Sequence, residues 1–296
     1  MTPDVFWLTA PQEPQLIAEA ASYLVLYKPP RMHTAPLKEG EENTLLAWAA
    51  SLFPDVLQVH GYKTIEGGLL HRLDYETQGL TLFARTDMAL AAIAAQQEKN
   101  LFIKEYDAVS APLHSVRAES ELPGFPPYPS TPYPSHHSTA GTAGSGTLPL
   151  AGSVIESAFR PYGKGRKAVR PLIKYPAAEQ RGISFSRGIG LGFNTLMTAP
   201  EGQGIKPSPR IKGKTCYSTE ICSCTEEGGK QYFRLRITKG FRHQIRCHLA
   251  WINRPLLNDT LYGGNCDGGF LALRACALAF ADPENGEARE YRLSIL

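Results

Sequence analysis

Two long stretches of this chain, at about residues 112–152 and 176–213, hold too little apolar surface to form a packed core. The first has seven prolines between residues 112 and 134, followed by His, Ser, Thr and Gly, and the second is rich in Gly, Pro and Lys. Burying such segments would not offset the conformational entropy lost on ordering them. We therefore interpret both as inserted loops, and the fold must be built from the segments around them.

The remaining segments contain more predicted strands than helices. Residues 22–28 (SYLVLYK) are β-rich and stop at two prolines, and Tyr232–Thr238 alternates apolar and polar side chains as a half-buried strand does. Further strands are predicted at Leu80–Arg85, Lys104–Ser110, Tyr217–Cys224 and Leu271–Ala281. This irregular succession favours an α+β (mixed α/β) class over a doubly wound sheet.

Helical spacing of apolar residues marks three helices. They are predicted at Asn43–Phe53, at Asp87–Gln97 with Thr86 as its cap, and at Phe241–Ile252. In the last of these, Arg242 and Arg246 would lie four residues apart on one helical face.

Composition narrows the class of protein. An excess of 31 Lys+Arg over 28 Asp+Glu is too small to identify a nucleic-acid partner by itself. Six cysteines lie in the last third without a C-x-x-C pair, so zinc-ribbon spacing is missing. The first residues do not resemble a secretory signal, and no uncharged apolar run has membrane-spanning length. We expect a cytoplasmic protein with reduced thiols, without a metal or a membrane partner.

The decapeptide at residues 71–80, His-Arg-Leu-Asp-Tyr-Glu-Thr-Gln-Gly-Leu, lies between apolar segments. It places Arg72 and Asp74 in a short polar turn. Taken alone, such a turn is most simply a solvated loop with a surface ion pair. Four further segments change this interpretation.

Five segments, in order along the chain, resemble the motifs of the RluA-type family of RNA pseudouridine synthases. Residues 71–80 are similar to the family's His-Arg-Leu-Asp followed by Thr-Ser-Gly-Leu. The other four are residues 27–30 (YKPP), 104–106 (KEY), 240–246 (GFRHQIR) and 258–263 (NDTLYG). Together they span about residues 22–280 with the inserts excluded.

The chain also departs from these motifs at four places. Gln78 replaces the usual Ser, and Phe241 stands where the first Arg of its motif belongs, with Arg242 one residue later. Asn258 replaces Gly, and Arg274 stands where many members have His. None of these changes affects Asp74.

The resemblance implies the pseudouridine synthase fold, with a mainly antiparallel sheet, flanking helices and a central active-site cleft. We expect one catalytic domain over residues 1–296, with a core at about 20–283. It also implies an isomerase that converts uridine in ribosomal or transfer RNA to pseudouridine. Because the reaction involves no redox change and no net hydrolysis, we expect neither cofactor nor metal. We also expect a monomer.

The catalytic residues that the resemblance implies are Asp74, Tyr106 and Arg246. The reaction needs a carboxylate that stays ionised while buried beneath a base, and the guanidinium of Arg246 would oppose the rise in pKa that burial causes. Tyr106 would stack on the uracil whichever way the base is turned.

The remaining candidate residues are expected to bind RNA or to shape the site. Arg72 would fill the position vacated by a uridine that leaves its stack, and His71 would hydrogen-bond the backbone. The full set of RNA- or substrate-binding candidates is Arg72, His71, Thr77, Gly79, Arg242, Gln244, Lys28 and Lys104. Two runs without acids, at residues 160–174 and 231–254, fit an RNA-backbone track beside this site.

Two alternatives remain open. The first is an RNA-binding protein that keeps the fold but has lost catalysis, for which Gln78 and Phe241 are the supporting features. The second is a carboxylate-dependent glycosidase or hydrolase, which needs a second acid near Asp74. Glu76 is the acid nearest in sequence.

Overall fold

The computed structural model describes residues 6–61, 63–110, 151–172 and 215–293. The predicted insert at 176–213 lies outside these ranges, as does the insert at 112–152 except for its last two residues. The strands of the described part are β1 Gln15–Glu19, β2 Tyr23–Lys28, β3 Gln78–Ala84, β4 Ile103–Ser110, β5 Val154–Tyr162, β6 Ala168–Leu172, β7 Tyr217–Glu227, β8 Lys230–Ile237, β9 Leu273–Ala281 and β10 Ala288–Arg292. Its α-helices are α1 Leu45–Leu52, α2 Asp87–Glu98 and α3 Gln244–Trp251.

These strands form a ten-stranded sheet in the order β1-β2-β3-β9-β4-β8-β7-β5-β6, with β10 paired to β9. In the described part, the only parallel pair of strands is β3–β9, over Gln78↔Arg274 and Gly79↔Ala275. The predicted mixed α+β class with a mainly antiparallel sheet is confirmed.

Helices α1 and α2 cover opposite faces of the β2–β3 end of the sheet. Alternate residues of β2 divide between them, with Leu24 and Leu26 packing toward α1 and Tyr23 and Val25 toward α2. The N-terminus of α2 is capped as predicted, because the Thr86 hydroxyl accepts a hydrogen bond from the third residue of the helix.

Helix α3 begins at Gln244, three residues later than predicted. His243 has a left-handed backbone conformation with φ of 56°, which ends the preceding turn before the helix starts. The expectation that Arg242 and Arg246 form an i, i+4 pair on one helical face is therefore wrong. Arg242 belongs to the turn, and only Arg246 belongs to the helix.

Strands β1, β5, β6 and β10 were not predicted from the sequence. Each lies at or near an edge of the sheet, where exposure weakens the apolar pattern that identifies a strand. The α-helices in the described ranges are 8–12 residues long, and no helix there combines the length and the apolar character that crossing a membrane requires.

Candidate active site

Asp74 lies in a tight turn immediately before β3. The backbone N–H of Thr77 donates to the carbonyl oxygen of Asp74 over 3.0 Å, which closes the turn. On the other side, the Thr34 hydroxyl donates to the carbonyl oxygen of Leu73 at 2.9 Å and accepts from its backbone N–H at 3.1 Å. The backbone is thus held both before and after Asp74.

Lys28, at the end of β2, restrains the same turn. Its buried ammonium group donates to the carbonyl oxygens of Pro29 and Met32 at 2.8 Å and of Tyr75 at 3.3 Å. Burial lowers the pKa of Lys28 to about 7, while the charge of Asp74 raises it. Because protein carbonyls take up its donors, Lys28 holds the turn from behind and does not extend into the cleft.

Arg246, on α3, reaches the carboxylate of Asp74 from the opposite wall. Its Nη1 atom lies 3.9 Å from Asp74 Oδ2. Its Nε and Nη2 atoms each donate to a carboxylate oxygen of Asp259 at 2.8 Å, in a buried bidentate pair. Since Asp259 occupies one edge of the guanidinium, the orientation of Arg246 is fixed with Nη1 toward Asp74.

The pKa of Asp74 is raised above the usual carboxyl value. Burial is the largest cause, and the charge of Asp259 acts in the same direction. The positive charges of Arg246, Lys28 and Arg242 lower the pKa and partly offset burial. A quarter of the Asp74 side chain remains accessible, on the side that faces the cleft.

His243 completes the contacts to Asp74. Its Nε2 atom lies 3.9 Å from Asp74 Oδ1, and its Nδ1 atom shares a 3.1 Å hydrogen bond with the Tyr262 hydroxyl. Burial, followed by the charges of nearby arginines, lowers the pKa of His243 to about 3, so the ring is neutral. No role was predicted for His243, Asp259 or Tyr262, although all three lie inside the matched motifs at 240–246 and 258–263.

A cleft of about 770 Å³ opens above these groups. Asp74, Tyr106 and Arg246 all line it, so the three predicted catalytic side chains meet in one cavity. Tyr106, on β4, is 6% exposed. Burial and then the charge of Asp74 raise the pKa of its phenol above the usual value, which keeps it protonated.

Arg72 lies at the rim of this cleft, with 53% of its side chain exposed. Its Nη1 atom is 3.1 Å from Glu66 Oε1, and the ammonium group of Lys63 lies 3.0 Å from the same oxygen. Glu66 is largely buried, so it anchors two cations whose outer surfaces remain in water.

His71 and Lys104 lie deeper in the same cleft. The ring nitrogens of His71 have no hydrogen-bond partner among the described residues, so the expected bond to the backbone is not formed. Burial and then the charge of Lys104 lower the pKa of His71 to about 3. Lys104 donates to the carbonyl oxygen of Thr238 at 2.9 Å and lies over the Phe102 ring, and burial lowers its pKa to about 8.

Two of the candidate residues shape the chain around Asp74. Thr77 is buried, and its hydroxyl finds no partner in the described part of the chain. Gly79 has φ of +120°, and a Cβ atom there would lie 2.2 Å from the carbonyl oxygen of Ala275. Only glycine allows β3 to approach β9 this closely.

Arg242 and Gln244 are both engaged by the protein. Arg242 Nη2 donates to the carbonyl oxygens of Arg166 at 2.8 Å and Ala168 at 3.3 Å, which ties the cleft wall to the β5–β6 hairpin. The buried Gln244 side chain donates to the carbonyl oxygen of Ser218 at 2.9 Å. Gln244 therefore joins α3 to β7.

The basic run at 231–254 does not form one surface. Arg234 and Arg236 lie on the face of the sheet opposite Tyr106, where acids of β4 neutralise them. Arg234 Nη2 is 2.9 Å from Asp107 Oδ1, and Arg236 Nη2 is 3.0 Å from Glu105 Oε1. In the run at 160–174, by contrast, the tip of the β5–β6 hairpin exposes three cations beside the cleft. They are Lys164, Arg166 and Lys167.

Within the described ranges, no three His, Cys, Asp or Glu side chains are grouped to hold a metal ion. His248 is buried, with 2.9 Å hydrogen bonds to Ser157 and Thr219. The cysteines are free thiols.

A sequence profile described as RNA pseudouridylate synthase matches residues 22–251 of the chain. The chain is 23% identical over 290 residues to ribosomal large subunit pseudouridine synthase D of Haemophilus ducreyi, covering 93% of this chain and 65% of that protein. It is 25% identical over 252 residues to a Bacillus subtilis protein named as an uncharacterized RNA pseudouridine synthase, covering 85% and 58%. The chain thus spans less than two thirds of the length of these relatives.

Two solved human structures have a similar fold. RNA pseudouridylate synthase domain containing 1 superimposes with a TM-score of 0.51 at 15% identity, over 96% of this chain and 84% of that one. Domain containing 4 gives a TM-score of 0.52 at 14% identity, over 94% and 87%.

Proposed function

The chain belongs to the RNA pseudouridylate synthase family, and from this premise we propose that it converts uridine in RNA to pseudouridine with Asp74 as the essential carboxylate. The reaction breaks the bond between C1′ and N1, turns the uracil, and joins C1′ to C5, and C5 releases its proton while N1 takes one up. One glycosidic bond replaces another, so the proposal includes no cofactor and no metal.

The observation that carries this proposal is the Asp74–Arg246–Asp259 arrangement at the base of the cleft. A carboxylate under a base loses most of its hydration, and its pKa rises. The guanidinium 3.9 Å away favours the ionised form without a direct hydrogen bond that would occupy the attacking oxygens. Asp259 holds Arg246 in this orientation by two 2.8 Å hydrogen bonds.

Tyr106 is proposed to bind the uracil ring. It lines the same cleft as Asp74, and its protonated phenol adds no charge there. A planar ring supports the base before and after it turns, because stacking does not depend on which edge of the base faces Asp74. Stacking of this kind is worth about 1–3 kcal/mol per base.

Arg72 is proposed to occupy the position that the target uridine leaves. Its half-exposed guanidinium lies at the rim, where an ion pair with Glu66 holds it in position. Removing a base from a stack costs a few kcal/mol, and a planar cation that enters the gap offsets part of this cost.

The RNA backbone is proposed to follow the rim between Arg72 and the tip of the β5–β6 hairpin. Lys164, Arg166 and Lys167 are exposed there, and Arg242 connects the tip to the cleft wall. Exposed cations with no acid between them attract phosphates without sequence preference. We further propose a ribosomal or transfer RNA substrate, a monomer, and a cytoplasmic location.

The proposed chemistry is tested with RNA transcripts that carry tritium at C5 of uridine. A pseudouridine synthase releases tritium into water, and it leaves the mass of an unlabelled transcript unchanged. A glycosidase would release free uracil instead, and an RNA-binding protein without activity would release neither. Release of uracil, or no release from any cellular RNA population, contradicts the proposal.

A further inference from the structure

The first described residues, Phe6 and Trp7, form what we call the N-terminal clasp, which is buried behind the cleft. Phe6 is 5% and Trp7 1% exposed. Their rings meet edge to face at 5.3 Å, and they pack with Val109, Leu257 and Ala272. The clasp therefore lies on the side of β4 and β9 that faces away from Tyr106.

One side of the clasp holds the strand that follows Asp74. Gln78 Nε2 donates to the carbonyl oxygen of Phe6 at 3.2 Å, and Gln78 Oε1 accepts from the Tyr27 hydroxyl at 2.7 Å. Gln78 follows directly on the turn closed by Asp74 and Thr77. A shift of Phe6 is thus transmitted to the turn through one buried amide.

The other side of the clasp holds the loop that carries Asp259. Trp7 Nε1 donates to Asp267 Oδ2 at 3.0 Å. The second oxygen of Asp267 accepts from the side chain of Asn258 at 2.8 Å, and the backbone N–H of Asp267 donates to the Asn258 amide oxygen at 2.8 Å. Asn258 immediately precedes Asp259, whose carboxylate orients Arg246.

Three of the four places where this chain departs from the family's motifs meet at the clasp. Gln78 contacts Phe6, and Asn258 contacts Asp267, the hydrogen-bond partner of Trp7. The guanidinium of Arg274 lies 4.7 Å from the centre of the Phe6 ring. Arg274 also donates to Asp107 at 2.9 Å. Three separate changes converge on this one pair of residues, which indicates that Phe6 and Trp7 act as a unit.

We propose that the N-terminal clasp is a positioning element that sets the distance between Asp74 and Arg246 by holding both walls of the cleft. The inference rests on the proposed function. Phe6 and Trp7 do not line the cleft, so they act through Gln78 and Asn258 and do not touch the RNA.

The test compares Trp7→Phe and Gln78→Ser with Tyr23→Phe as the matched control. Trp7→Phe removes the indole donor and keeps an aromatic ring, and Gln78→Ser restores the family's residue but cannot span the gap to Phe6. Tyr23→Phe removes a buried hydroxyl that bonds Tyr291 at 2.8 Å, far from the cleft. For each protein, kcat, KM, the thermal midpoint and the pH profile of kcat are measured.

We expect kcat to fall at least ten-fold in both clasp variants, with KM within two-fold and thermal midpoints no lower than that of the control. The acid limb of the profile should move to higher pH, because a more distant Arg246 lowers the pKa of Asp74 less. A kcat and an acid limb equal to those of Tyr23→Phe would overturn the proposal.

A wild-type protein without activity would contradict the proposed function but not yet the clasp. In that case the carboxyl pKa of Asp74 is followed by carbon NMR in the same three variants. An upward shift in the two clasp variants alone supports the positioning role, and an unchanged pKa contradicts it.

Discussion

Asp74 is held in a state that favours chemistry over stability. Burial opposes its ionisation, and Arg246 and Lys28 oppose that effect without cancelling it, so the pKa of Asp74 stays raised. A carboxyl whose pKa is higher in the folded than in the unfolded protein destabilises the fold once the pH exceeds its unfolded value. The protein therefore accepts an unfavourable charge at the position where the reaction needs one.

Asp74→Asn is expected to raise the thermal midpoint at pH 7. The gain should be about 2–4 °C, which corresponds to ~1 kcal/mol in a domain of this size. It should vanish below about pH 4, where Asp74 is protonated in both states. Thermal melts across pH check this.

For the control Asp87→Asn, we expect the thermal midpoint at pH 7 to fall. Hydrogen bonds from the backbone and the ring of His60 lower the pKa of Asp87, so its carboxylate stabilises the fold above the usual carboxyl range. A midpoint that falls at pH 7 for both variants would contradict our account of Asp74.

Arg72→Ala is expected to impair modification of structured RNA more than modification of a short single strand. The guanidinium matters only where a base must leave a stack, so kcat/KM should fall about ten-fold or more on a stem-loop, a loss of ~1.4 kcal/mol. Single-turnover rates on the two RNAs provide the measurement. Lys63→Ala removes a cation bound to the same Glu66 oxygen and should affect both RNAs equally. Equal losses of kcat/KM on the stem-loop and the single strand for Arg72→Ala would contradict its proposed role in filling the position that the uridine leaves.

At the level of elements, the turn before α3 shows where the sequence pattern stops being informative. The apolar stripe predicted a helix, but the same stripe extends through Phe241, which instead stacks on Phe159 at 5.1 Å. The left-handed conformation of His243 separates the turn from the helix. Non-glycine residues rarely adopt it, so no local signal marks the break.

The β5–β6 hairpin is the element expected to set the salt dependence of RNA binding. Replacing Lys164, Arg166 and Lys167 together with alanine should reduce the slope of log K against log salt by up to about 2–3. Each lost phosphate contact contributes about 0.7 for single strands and about 0.9 for duplex. Fluorescence titrations at several salt concentrations give the slope.

Arg236→Gln is the control for this prediction, because Arg236 lies on the opposite face, paired with Glu105. It should leave the slope unchanged. If the slope changed with Arg236→Gln and not with the hairpin substitutions, RNA would bind the opposite face of the sheet, which would contradict the proposed RNA path.

At the level of the whole molecule, the sheet has a narrow seam between β3 and β9. Only two register pairs join these strands, and the turn with Asp74 and the strand with Tyr106 lie on either side of that seam. The close approach at Gly79 lets both contribute to one cleft. The seam therefore determines how far the Asp74 turn lies from Tyr106.

Gly79→Ala is expected to lower the free energy of unfolding by about 3 kcal/mol or more, because the new methyl group would displace β9 and strain the backbone. Gly228 also has a positive φ, of +58° against +120° at Gly79, but open space around it, so Gly228→Ala should cost only about 1 kcal/mol. Urea denaturation of both variants measures the difference. Equal costs would mean that the close approach at the seam contributes nothing.

How much the sequence could predict follows from which interactions are local. The strands at residues 22–28 and 232–238 and the Thr86 cap depend on neighbouring residues, and the pattern identified them. The pairing of Arg246 with Asp259, and the contact of Gln78 with Phe6, join residues that are separated in the sequence and carry no periodic signal. The motifs indicated that Asp74, Tyr106 and Arg246 would meet. The residues that hold these side chains in place could be identified only from the structure.

The central claim is tested most directly by tritium release from C5-labelled RNA with Asp74→Asn, alongside wild type and Asp87→Asn. Wild type and Asp87→Asn should release tritium at comparable rates. Asp74→Asn should be slower by a factor on the order of a thousand or more, with RNA affinity within two-fold of wild type. Substantial turnover by a folded Asp74→Asn protein would contradict the assignment of Asp74 as the essential carboxylate.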